Sequence, residues 1–282
     1  MLQKTVIARN LLILDQLREI DEALENKNIK LILLKGAALI ELAPDYAAQR
    51  IMDDIDILVR PEYREKLRHV LLSLGYEPAR YDPNALFHPG REVPVDLSSD
   101  IFYMDETQFG HFWDNAKTFR SSFKNIFIPE LAELLVYIFV HCAVHHAERT
   151  ELWEKDFALA RGPLSGRIDW DDFHKKVDDY GMKEAWDIFC GGRPSTLRGM
   201  FYNLLLTSSI QSKGFIAIFL YSAPHKRRAF VLNELFPSAG FLKDRYGLKN
   251  RVEIFVFRIF RPVIIFWELA IFFSRFLRRL LP

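Results

Sequence analysis

Two aspartates separated by one isoleucine, Asp54 and Asp56, lie in the stretch Arg50-Ile-Met-Asp-Asp-Ile-Asp-Ile-Leu-Val59. In an extended chain the side chains alternate faces, so the two carboxylates share one side, Ile55 and Ile57 take the other, and Asp53 turns away from the pair. Ionised carboxylates held side by side repel unless a cation or a strongly basic group stands between them. Hard oxygen donors of this kind select Mg2+ or Mn2+. A solvent-facing edge strand also alternates acid with isoleucine, so the pair needs support from other segments.

A third carboxylate supplies it. In Arg91-Glu-Val-Pro-Val-Asp-Leu97 the acid Asp96 stands alone between Val95 and Leu97, and Pro89-Gly90 marks a turn back from Ala85-Leu-Phe-His88. A hairpin of this kind brings Asp96 beside the first pair, completing a ligand set for two divalent ions. Asp96 is then placed to accept the proton of an attacking hydroxyl.

Upstream, Ile29-Lys-Leu-Ile-Leu-Leu34 reads as a buried strand running into Lys35-Gly36-Ala37-Ala38 and the helical Leu39-Ile-Glu-Leu42. At such a turn Gly36 permits close backbone approach, the helix start offers free amides and Lys35 adds a cation, a combination suited to a polyphosphate. A tight turn with a solvated lysine has the same sequence. Arg50, shortly before Asp54, has two available roles: reaching a phosphate or neutralising the carboxylates.

Taken together, Lys35-Gly36, Arg50-x-Met52-x-Asp54-Ile-Asp56 and Val95-Asp96-Leu97 resemble the polymerase-β-type nucleotidyltransferase superfamily, and within it a family of uncharacterised nucleotidyltransferases. The resemblance extends through His141-x-x-x-His145, Leu152-Trp153-x-x-Asp156 and Ile168-Asp169-Trp170, which look like that family's helical half, and so covers roughly the first two-thirds of the chain. It implies an α+β fold, a mixed sheet with flanking helices followed by a helical domain. The activity it implies is transfer of a nucleoside monophosphate from a nucleoside triphosphate such as ATP to an acceptor hydroxyl, with pyrophosphate leaving. By the same resemblance Asp54, Asp56 and Asp96 hold Mg2+ or Mn2+, Lys35 and Gly36 form the triphosphate turn, and His145 and Asp156 are candidates to line the nucleotide cleft. Two departures stand out. The superfamily usually has Gly-Ser at the turn where this chain has Gly36-Ala37, and Ser98 and Ser99 stand where many relatives have His and an aromatic. They motivate an alternative, a nucleotide-binding or membrane-recruited interaction protein without turnover.

The rest of the chain must position these groups. Apolar Ile13, Leu17, Ile20 and Leu24 recur at helical spacing in an N-terminal helix within residues 1–27, which should pack on the catalytic module. That module spans 28–120 and includes a helix over 61–74, with Pro61 at its first turn and Gly75 at its end. A helical domain follows over 121–250, opening on Leu131, Leu134, Leu135, Ile138, Phe139 and Cys142 at spacings of three and four. On that helix His141 and His145 lie one turn apart while His146 points elsewhere; the pair either awaits a third metal ligand or bonds a carboxylate such as Asp156.

Residues 251–282 form an aromatic and basic C-terminal helix whose uninterrupted apolar runs are shorter than the about 20 residues a span requires, with Glu268 inside them. Its aromatics Trp267, Phe272, Phe273 and Phe276 either pack against protein or lie on a membrane surface with Arg275, Arg278 and Arg279 at the headgroups. With 38 Lys and Arg against 37 Asp and Glu, the net charge of +1 marks no nucleic-acid footprint, so no template is expected. Two cysteines without ligand spacing and an N-terminus without a secretory pattern predict a cytoplasmic protein.

Overall fold

The computed structural model describes residues 2–43, 46, 50–79, 82, 84–120, 122–149, 151–210 and 212–280. The side chains of Leu152, Arg275 and Arg279, singled out above, lie outside the described residues. The chain forms two compact units. The first comprises Met1–Ile101, Glu106–Tyr137 and Leu159–Ile168; the second comprises Phe102–Asp105, Ile138–Ala158 and Asp169–Pro282.

In the first unit, helix α1 (Leu2–Ala23) buries Ile13, Leu17 and Ile20 completely, with Leu24 just beyond its end. The apolar stripe is interrupted by polar residues that hold other segments in place. Asn10 Nδ2 donates to the Arg50 carbonyl at 3.1 Å, Gln16 Nε2 donates to the Val93 carbonyl at 2.9 Å, and Asp21 accepts from the backbone amides of Lys124 and Asn125. After α1 come strand β1 (Leu31–Leu33), helix α2 (Lys35–Leu42) and strand β2 (Ile55–Val59). Helix α3 (Arg64–Ser73) follows a single 3-10 turn at Pro61–Tyr63, and the left-handed Gly75 stops it, as expected from the residue types at its two ends.

Strands β3 (Glu77–Pro78), β4 (Ala85–Phe87) and β5 (Val95–Ser98), helix α4 (Glu106–Asp114) and strands β6 (Lys117–Thr118) and β7 (Ile126–Ile128) complete a seven-stranded mixed sheet in the order β3-β4-β5-β2-β1-β7-β6. All residues of the two central strands β1 and β2 are buried, which is why they read as continuous apolar runs. The fold is the α+β nucleotidyltransferase architecture: a mixed sheet with flanking helices, then helices alone.

Helix α5 (Leu131–Val140) leaves the first unit at Tyr137 and continues in the second as a π-helical turn, His141–His145. There the backbone N–H of His146 donates to the carbonyl of His141 at 3.1 Å, five residues back instead of four. The wider turn swings His146 over His141, their ring centroids 4.6 Å apart. An α-helical period would have turned His146 away from the pair; the π turn overrides it.

Helices α6 (Glu151–Arg161), α7 (Trp170–Asp179) and α8 (Lys183–Phe189) follow, and an aromatic cluster of Phe139, Trp153, Phe157, Phe173, Trp186 and Phe189 fills the core of the second unit. The chain continues through α9 (Leu197–Leu206), α10 (Lys213–Tyr221), α11 (Pro224–Leu235) and α12 (Ala239–Tyr246) to the 30-residue helix α13 (Arg251–Leu280).

Phe272 and Phe276, one turn apart on α13, are buried against Phe201, whereas Trp267 is 68% exposed and Phe273 47%. The four aromatics therefore do not act as one set: Phe273 also meets Phe201, ring centroids 5.2 Å apart, but stays half exposed, because each helical residue is rotated by about 100° from the one before. Glu268 breaks the apolar run for a local reason: its carboxylate accepts from the backbone amide of Ser212 at 3.2 Å and from the Ser212 hydroxyl, at the start of α10. No helix among the described residues is long and apolar enough to cross a membrane.

Candidate active site

Strands β2 and β5 run parallel, and their register sets Asp56 directly beside Asp96 and Ile55 beside Val95. Directly paired residues on neighbouring strands point to the same face, so the two carboxylates stand side by side on one side of the sheet. Asp54 precedes β2 by one residue and lies two before Asp56; its charge reaches both other carboxylates. The hairpin inferred from Pro89-Gly90 is present as an antiparallel pair of β4 and β5, with Ala85 opposite Asp96. Asp53 points away, 87% exposed, with Arg9 Nη1 3.8 Å from its carboxylate.

The turn between β1 and α2 brings a cation to this group. Lys35 adopts a left-handed backbone conformation (φ 46°) and its Nζ lies 2.5 Å from Asp56 Oδ1, both side chains largely buried. Left-handed geometry costs a non-glycine residue about 1–2 kcal/mol, so the conformation persists only because the surroundings enforce it; one restraint is the bond from the Leu34 amide to the Asp56 carbonyl at 3.0 Å. The sequence points to Gly36 as the permissive backbone position, yet the unusual φ falls on Lys35. Gly36 sits in a tight space instead: a Cβ there would stand 3.0 Å from Met52 Cγ and 3.5 Å from Arg50 Cζ. Arg50 is itself buried, with Nη1 donating to the Ile51 carbonyl at 2.8 Å.

Burial, together with the neighbouring Asp54 and Asp96, pushes the Asp56 carboxyl up to about 6 in spite of Lys35. Burial raises Asp96 as well, helped by Asp82 and Asp54 against Lys35 and Arg64. Asp96 Oδ1 is buried and accepts no hydrogen bond from the described residues. Asp56 and Asp96, paired in register and both desolvated, with one Asp96 oxygen lacking a donor among the described residues, are oxygen ligands of the type a hard divalent cation such as Mg2+ or Mn2+ takes.

A family profile described as "Uncharacterised nucleotidyltransferase" matches residues 2–190. The chain belongs to this uncharacterised nucleotidyltransferase family. Searches of curated proteins and of solved structures each returned no match. The nucleotidyltransferase match takes in both units: it includes the three carboxylates, Lys35, Gly36 and Arg50 in the first, and His145 and Asp156 in the second. It ends at Cys190, so α9 to α13 lie beyond it.

Three further residues of the first unit act on the carboxylates by charge or burial without any mark in the sequence. Tyr137, near the end of α5, has its phenol pushed far up by burial and by the charges of Asp56, Asp96 and Asp54. It reads as one more apolar-helix residue, and only the folding of α5 onto the sheet brings it here. Arg64 opens α3, donates to the Leu97 carbonyl at 2.8 Å and to Asn84 Oδ1 at 2.9 Å, and so braces β5 beside Asp96. Asp82 sits in the loop before β4, and its negative charge helps raise the Asp96 carboxyl. In the second unit His145 is exposed on the π turn and Asp156 is buried in α6.

Proposed function

We propose that this chain transfers a nucleoside monophosphate from a nucleoside triphosphate to the hydroxyl of a small molecule, sugar or protein, releasing pyrophosphate. The observation that carries the reading is the side-by-side register of Asp56 and Asp96, with Asp54 acting on both. Asp54, Asp56 and Asp96 would hold Mg2+ or Mn2+, which would supply Lewis-acid stabilisation of charge on the phosphoryl oxygens. Asp96 takes the proton of the acceptor hydroxyl at Oδ1, which accepts no hydrogen bond from the described residues; the hydroxyl oxygen bonds to the α-phosphorus as the α–β bridging bond breaks. Burial favours that transfer, because a carboxylate with a raised pKa is a stronger base.

Lys35 neutralises Asp56 in the ligand-free protein and contributes its charge to the triphosphate, while Arg50 closes the space above Gly36. No template strand is required by a chain of net charge +1. Incubation with each labelled triphosphate, Mg2+ and cell extract tests the reading: label should move to an acceptor in the wild type and not in Asp96→Asn. Absence of transfer with every triphosphate would instead favour a nucleotide-binding protein without turnover, the reading motivated by Ala37 in place of the hydroxyl residue.

A second observation concerns location. Along α13, Val252, Phe255, Phe260, Val263, Phe266 and Trp267 are all more than half exposed, a stripe too long to be scattered surface apolar residues. We propose that this stripe lies in the surface of a bilayer, with the exposed Arg251 and Arg278 of the same helix at the headgroups. Co-sedimentation with phosphatidylserine-containing vesicles should be strong for the wild type and lost in Phe260→Asp/Trp267→Asp. Equal sedimentation of the two would overturn it.

A further inference from the structure

We propose that His141, His145 and His146 form a binding site for a borderline divalent transition metal, with Zn2+ as the type ion, separate in residues and in donor chemistry from the carboxylate site. One ring nitrogen from each can be chosen so that all three lie within 4.8 Å of one another. Nδ1 of His145 is 3.3 Å from Nδ1 of His141, and Nε2 of His146 is 3.0 Å from Nε2 of His141; the two contacts use different nitrogens of the His141 ring, so a single ion takes one of them and the remaining ring turns in from within the 4.8 Å limit. All three rings have centroids 4.6–4.9 Å apart. A tetrahedral ion with bonds of about 2.1 Å needs donor nitrogens about 3.4 Å apart. Whichever His141 nitrogen is used, one neighbouring ring already stands close to that spacing, and rotation of the exposed rings of His145 and His146 brings in the other.

The backbone that gathers the three rings is held from outside. In an α-helix only His141 and His145 would share a face; the π turn adds His146, which supplies the third donor. Tyr202 Oη donates to the Ala143 carbonyl at 2.8 Å, fixing the middle of the turn from α9. Gly214 of α10 comes so close to the His145 carbonyl that a Cβ there would stand 2.2 Å from it. Directly after the turn Ala147 is left-handed, with φ 49°. A non-glycine residue is strained in that region and persists where neighbouring packing imposes it.

Ligand identity follows from the donors. Neutral imidazoles suit Zn2+, Ni2+, Cu2+ or Co2+ and bind Mg2+ poorly, so the histidines and the carboxylates select different ions. Three imidazoles leave one position of a tetrahedron for water or a fourth group.

The test uses the full chain stripped with chelator and then titrated with Zn2+ by calorimetry, and with Co2+ followed by its visible ligand-field absorption. The wild type should take up one equivalent in competition with excess Mg2+, and Co2+ should give a tetrahedral band. His145→Ala and His146→Ala alter exposed side chains; each should weaken binding at least ten-fold and remove the band with an unchanged circular-dichroism melt. Asp54→Asn/Asp56→Asn should leave both readouts intact, which separates this site from the carboxylates. Wild-type stoichiometry and affinity in His146→Ala would overturn the proposal, as would loss of Zn2+ uptake in the aspartate variant alone.

Discussion

Lys35 Nζ stands 2.5 Å from Asp56 Oδ1, so in the ligand-free protein the chain's own ammonium provides the positive charge that three converging carboxylates require. The strained φ of Lys35 is the conformational cost of delivering it. A cation bound at the carboxylates would take over this neutralisation and release Lys35 toward an anionic ligand, which links metal binding to nucleotide binding through one side chain.

Lys35→Met tests that link. Removing one partner of a buried pair leaves the other charge uncompensated, but Asp56 can take up a proton, so the loss should be limited to about 1–3 kcal/mol at neutral pH. Mg2+ should raise the thermal midpoint more in Lys35→Met than in the wild type, because in the variant the cation supplies a charge that nothing else provides. Equal Mg2+ shifts in the two proteins would show that Lys35 and the cation do not serve the same carboxylate.

The raised Asp56 carboxyl gives the metal-free protein an unusual pH dependence. Its folded value of about 6 exceeds the unfolded 3.8, so the folded state holds the proton more tightly. The stabilisation is complete below pH 3.8 and is lost as pH rises through about 6. Asp96 shifts in the same direction and adds to the trend. Urea unfolding in chelator should show this loss on raising the pH, and Asp56→Asn should flatten it. With saturating Mg2+ the slope should shrink or reverse, since the cation favours the ionised form.

Much of this site was legible in the sequence because a strand has a period of two. Asp56 and Asp96 each stand between apolar neighbours and Asp54 lies two residues before Asp56, so alternation alone puts each acid on the face opposite its isoleucine or valine partners. The Pro89-Gly90 turn marked the pairing of Asp96's strand with β4, whereas its parallel pairing with β2, which sets Asp96 beside Asp56, has no local mark. What stayed hidden depends on contacts distant in sequence or on departures from regular period. Tyr137 looks like any residue of an apolar helix, Arg64 like any surface arginine, and nothing in His141-Cys-Ala-Val-His-His146 announces a π turn. The split of Trp267 from Phe272 on α13 was readable from helical rotation, but which half is covered depends on Phe201, far upstream.

Gly36→Ala separates packing from ligand approach. The new Cβ meets Met52 Cγ at 3.0 Å, inside ordinary contact distance, and should cost about 1–3 kcal/mol in unfolding experiments. Met52 is flexible, so Met52→Ala in the same chain should recover part of that loss, giving a coupling of about 0.5 kcal/mol or more in a double-mutant cycle. Additive losses would mean that the clash with Met52 is not what makes glycine necessary here.

Asp96→Asn carries the most weight for the proposed chemistry. The amide keeps the shape of the carboxylate while removing a proton acceptor and an anionic donor, so nucleotide transfer should fall by about 1,000-fold or more. Stability should not fall with it: Asp96 is desolvated beside Asp56, and loss of one of two crowded charges relieves repulsion in the metal-free state. Asp82→Asn supplies the contrast, since Asp82 raises Asp96 from the loop before β4 without sharing its face of the sheet by register. It should move the acidic limb of the rate profile to lower pH and leave the plateau rate within a few-fold. A folded Asp96→Asn protein that transfers nucleotide at the wild-type rate would remove Asp96 from the chemistry and leave the paired register of β2 and β5 as a structural feature alone.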